Sequence, residues 1–132
     1  MQYKEFVLSV SDKIGGGLGR SEKAIAAFLS TLGELIPGTE RDNLAAQLPK
    51  ELKSAFSTER DSGAFELEEF YNRVSSRAGI GYEDAVERSQ AIASVFKRAV
   101  SGGEIEDILS KLPAEYGELF GLRETGPLSP SK

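Results

Sequence analysis

The property that most constrains this chain is that it matches itself. Shifted by 64 positions without a gap, residues 3–56 fall on residues 67–120. The identities include Phe6/Phe70, Val10/Val74, Gly15/Gly79, Gly17/Gly81, Ala27/Ala91, Gly38/Gly102 and Glu40/Glu104, and they continue through Leu48/Leu112, Pro49/Pro113, Glu51/Glu115 and Phe56/Phe120. Chance does not hold one register over such a span, so the chain reads as a duplication. Whatever forms in one half is expected again in the other.

Each half reads as four helices. Tyr3, Phe6, Val7, Val10 and Ile14 recur at the spacing of one buried helical face, as do Leu67, Phe70, Tyr71, Val74 and Ala78. A longer helix follows the glycines. Ser21 is its candidate N-cap, with Ala24, Phe28, Leu32, Leu35 and Ile36 turned inward; the partner runs from Tyr82 to Val100. Short helices are expected over Glu40–Gln47 and Glu104–Lys111. Pro49 and Pro113 then fit the first turn of a last helix in each half. No alternating run marks a strand. The expected fold is all-α: an internally duplicated helical bundle, about four helices per repeat and eight in all, related by a pseudo-twofold axis. The boundaries are 1–58 for the first repeat, 59–65 for a linker, 66–120 for the second repeat and 121–132 for a flexible tail. A half of about 60 residues is marginal alone, which favours a shared core over two separate bundles.

Composition narrows the chemistry. The chain has no histidine and no cysteine. This excludes disulfides, thiolate metal sites, cysteine nucleophiles and Ser-His-Asp triads made from this chain alone. A net charge of −5 and a pI near 4.9 oppose binding to nucleic acid or anionic membrane. The opening segment lacks the apolar run of a signal peptide, and no segment has the length to span a bilayer, so a bacterial-type cytoplasm is the expected location.

Gly15, Gly16, Gly17 and Gly19 precede Arg20 and Ser21. A phosphate-binding P-loop needs four residues before Gly-Lys and a preceding strand; here three residues separate Gly15 from Gly19, Arg20 replaces lysine, and a helix comes before. The second half keeps only Gly79 and Gly81, enough for a helix stop and a turn. The functional alternative is an anion held at the start of the second helix, near Arg20 and Ser21.

Acidic groups occur at Glu66, Glu68 and Glu69, at Glu83, Asp84 and Glu87, and at Glu104, Glu106 and Asp107. They read as first-turn charges facing helix dipoles, with a carboxylate-based, magnesium-assisted enzyme as the competing reading. The Leu-Pro-x-Glu corners, Pro49 with Glu51 and Pro113 with Glu115, are candidate partner-docking points.

The stretch from Phe70 to Phe120, with "SGGE", "DI" and "LPAEY" before its final "LF", resembles the bacterial domain of unknown function 2267. The first copy, from Tyr3 to Phe56, resembles it more loosely and departs at the triple glycine and at Ile36-Pro37. The resemblance implies a small, all-helical bacterial protein. It carries no catalytic residue and no cofactor. The function expected from the sequence is a non-enzymatic protein-interaction or regulatory module, acting on a protein partner or as a homodimer; the alternative is a small-ligand binder with a pocket between the repeats.

Overall fold

The structure is a computed structural model that describes residues 1–56 and 63–121. Residues 57–62, with most of the expected linker, and the expected tail from residue 122 onward lie outside the described residues. All regular structure among the described residues is helical. Eight helices follow in order: α1 (Tyr3–Ile14), α2 (Leu18–Leu35), α3 (Gly38–Ala45), α4 (Lys50–Phe56), α5 (Leu67–Ala78), α6 (Tyr82–Ala99), α7 (Gly102–Ser110) and α8 (Tyr116–Leu119). The starts of α5, α6 and α7 each lie 64 positions after those of α1, α2 and α3.

Two expected boundaries shift. Helix α2 starts at Leu18 with Gly17 as N-cap, so Ser21 is not the cap; it is buried one turn inside the helix. The cause is the glycine run. Gly15, Gly16 and Gly17 have φ of 72°, 87° and 90°, a region open to glycine at little cost, and the chain enters the helix four residues earlier than a serine cap would require. At the other end of the second half, Pro113 does not open a helix directly. A turn bonds the Tyr116 N–H to the Pro113 carbonyl at 3.0 Å, and only the four residues of α8 follow. Gly117 stands where the longer α4 has Lys53, and glycine is a poor helix former.

The long helices pair across the halves. α2 packs on α5 and α1 packs on α6, besides each packing on its neighbour within its own half. One apolar core results, from Phe6 and Val10 through Phe28 and Leu32 to Phe70, Phe96 and Phe120. Phe28 is its hub: the ring lies 5.5 Å from Phe70, edge-on, and 6.1 Å from Phe96. Burying a phenylalanine of this kind contributes about 2–3 kcal/mol. The arrangement is a shared core, not two bundles on a tether.

Helix ends are satisfied by tertiary contacts as well as local ones. The Arg41 guanidinium donates to the Gly33 and Ile36 carbonyls at 2.7 and 3.1 Å, meeting the carboxyl end of α2, which has no basic residue in its last turn. Gly79, at φ 68° and ψ 41°, is a left-handed stop for α5.

Candidate functional site

A concavity of about 410 Å³ lies between the halves. Lys13, Ile14 and Arg20 form one wall, from the end of α1 and the first turn of α2. Asp84, Glu87, Arg88, Gln90 and Ala91, all on α6, form the other. The glycine turn shapes the first wall. A Cβ at Gly16 would fall 2.2 Å from Arg20 Cδ, so the Arg20 side chain lies directly over Gly16, whose φ of 87° favours glycine.

Arg88 is the unusual member. It sits on the inward face of α6 between Ala85 and Ile92 and is only 7% exposed. Among the described residues it has no hydrogen-bond or ion-pair partner. Ser89 beside it is fully buried, and its hydroxyl is also unpartnered. The first half has Ala24 and Ile25 at the matching positions, both buried. The Arg88 stem packs into the core while its charged tip reaches the groove, where no group among the described residues pairs with it. Gln90, next along the same wall, donates to the Tyr71 hydroxyl at 3.2 Å, and burial pushes that phenol up to about 12.

The sequence-derived candidates are placed as follows. Arg20 lines the groove. Ser21 does not: its hydroxyl donates to the Gly17 carbonyl at 3.2 Å, inside its own helix. Pro49 is half-buried, while Glu51 and Pro113 are exposed. Glu115 has a structural task, because its carboxylate accepts the Leu67 N–H at 3.0 Å and so caps the start of α5. Tyr116, beside it, donates to the Phe65 carbonyl at 2.8 Å. Proline corner and helix start are thereby tied together within the second half.

Two polar clusters lie outside the groove. On the α2–α5 seam, Arg77 grips Glu34 at 2.8 and 2.9 Å, and Arg73 reaches the same carboxylate at 2.9 Å. Arg73 also bonds Glu69 at 2.7 Å and lies 3.9 Å over the Phe65 ring. Burial pushes the Glu34 carboxyl up, but hydrogen bonds from Arg77 and Arg73 outweigh it and hold the group below its ordinary value. Between α3 and α7, Glu40 is 4% exposed and lies 3.5 Å from Lys111. Burial raises the Glu104 pKa, and neighbouring Glu40 and Asp107 raise it further, against the opposing charge of Lys111. One oxygen of each of these two glutamates is buried without a partner.

The acidic groups singled out in the sequence do not gather: among the described residues no three acidic side chains are placed to hold a metal ion. No described helix is long and apolar enough to cross a membrane.

Arg88 and the Glu34 seam both escape sequence periodicity. The one available signal for Arg88 was the repeat itself, which sets an arginine against Ala24. Compared with known families, the chain matches the uncharacterised conserved protein family DUF2267 over residues 3–119. No curated protein matches it.

Proposed function

This chain belongs to the DUF2267 family, and we propose that it is a non-enzymatic, small-ligand-binding regulatory module of the bacterial cytoplasm, built from two tandem copies of a helical repeat. One observation carries the reading: the groove between the halves is walled by both of them and exposes polar groups that the fold does not use. Pockets between facing helices are a common place for small ligands in bundles. A ligand seated there touches α1, α2 and α6 at once, so its binding energy acts on the packing of one half against the other. That is the property a regulatory module needs. The groove favours this reading over docking at the proline corners, where Glu115 is already engaged.

The test is thermal unfolding of the full chain against a panel of charged and neutral metabolites, in parallel with Ala91→Phe, which fills the groove. A ligand at about 100 times its Kd adds about 2.7 kcal/mol and raises the Tm by several degrees. The expected result is at least one compound that stabilises the native chain and leaves Ala91→Phe unmoved. A panel without effect, or an effect that survives Ala91→Phe, rejects the groove as the site.

A further inference from the structure

The ligand class follows from the charges in the groove, and this step rests on the groove reading above. We propose that the groove binds a small phosphomonoester, whose dianionic head pairs with Arg88, Arg20 and Lys13 while its organic part lies against Ile14 and Ala91.

Three observations point the same way. First, Arg88 is more than nine-tenths buried, lines the groove, and is unpaired among the described residues. Its stem is packed into the core while its guanidinium opens on the groove, so an arriving anion meets a positioned donor fork that matches two phosphate oxygens. Secondly, Lys13 and Arg20 come from the opposite wall, so positive charge flanks the ligand position on both sides. Asp84 and Glu87 also line the groove; they are exposed, as are Lys13 and Arg20, so water screens all four, and Arg88 is the one buried charged residue of the lining. The local balance is three cations to two acids in a chain whose net charge is −5. Thirdly, α2 begins beside the groove with no side-chain cap and no acid in its first turn, and it carries Arg20 there instead. A cation at the positive end of a helix is unfavourable unless an anion sits with it. Helix α6, by contrast, has Glu83 and Asp84 in its first turn. The volume of about 410 Å³ lies at the lower end of ordinary ligand pockets and suits a compact metabolite.

The experiment is calorimetric titration at low ionic strength with glycerol 3-phosphate, glycerol, inorganic phosphate and citrate, on the full chain and its variants. Glycerol 3-phosphate and inorganic phosphate are expected to bind, and glycerol is not. Arg88→Met should weaken glycerol 3-phosphate at least 10-fold, because a hydrogen bond to a charged group is lost, while Arg88→Lys should lose less. Glu87→Gln should tighten it several-fold by removing a like charge, an effect that a merely structural groove would not show. Arg98→Met, an exposed arginine on the same helix outside the groove, should leave it unchanged. If Arg88→Met does not fold, Arg88→Lys and Glu87→Gln carry the test. Unchanged affinity in these groove variants, or citrate binding without phosphate binding, overturns the proposal. Should neutral compounds stabilise the chain through the groove while no phosphate binds, the ligand class is wrong and the groove reading stands. If nothing binds and Ala91→Phe behaves as the native chain does, both fall.

Discussion

Glu34→Gln removes one negative charge from the seam between α2 and α5 and changes little else in shape. The Glu34 side chain is 10% exposed, while those of Arg73 and Arg77 are 26% and 33% exposed. Breaking a fully buried ion pair costs about 3–5 kcal/mol, and an exposed pair is worth about 0.2–1 kcal/mol. A dry acid between two partly wet arginines falls between these limits, at about 2 kcal/mol. The glutamine also turns an amide N–H₂ towards two donors. For a domain of this length that loss lowers the Tm by about 6–10 °C. Urea unfolding followed by far-UV circular dichroism should show a lower midpoint with an unchanged m-value. The native Glu34 pKa lies below its ordinary 4.5, so the folded state binds fewer protons than the unfolded one. Its stabilisation is complete above that value and is lost as the pH falls through the native pKa. The gap between native protein and Glu34→Gln should therefore be full at pH 7 and close as the solution is acidified below 4.5. A double-mutant cycle with Arg77→Met should give a coupling above about 1 kcal/mol. A loss below about 0.5 kcal/mol, or a gap indifferent to acid, refutes the claim that this seam joins the halves.

Three other outcomes follow from the same structure. Phe28→Ala, at the hub of the shared core, should cost about 3–5 kcal/mol, and circular dichroism and tyrosine fluorescence should report one coincident transition; two separated transitions would show that the halves unfold alone. Glu115→Ala removes the cap on α5 and should cost about 1 kcal/mol in urea unfolding, whereas Glu51→Ala at the exposed matching corner should be near neutral. Glu104→Gln should stabilise the chain at neutral pH. The native Glu104 pKa is raised by burial and by Glu40 and Asp107, so its favourable contribution is full in acid and fades as the pH rises through the native pKa; the variant, measured by urea midpoint between pH 4 and 8, should not show that decline.

The fold was legible where its cause was local. Apolar spacing marks α1 and α5, glycines end them, and the repeat predicts that each half follows the same course; the structure places helices at those positions. Legibility failed first at Ser21, because serine is a good cap in general and only the actual φ values of Gly15 to Gly17 show the chain turning before it. The site was legible in part. Arg20 stood out through its glycines. Arg88 did not, since its spacing from Ala85 and Ile92 follows the buried stripe and a periodicity argument expects an apolar residue there.

What the amino-acid order determined by itself was the set of parts: helices, stops and proline corners. These depend on residues within a turn or two of each other, where propensity and capping act. Tertiary structure decided which parts meet. Glu34 finds Arg73 and Arg77 some 40 positions away, Glu115 caps a helix 48 positions earlier, and Lys13 faces Arg88 across the groove. Such pairings are settled by how amphipathic faces pack when the whole core closes, and no short window of sequence contains that energy.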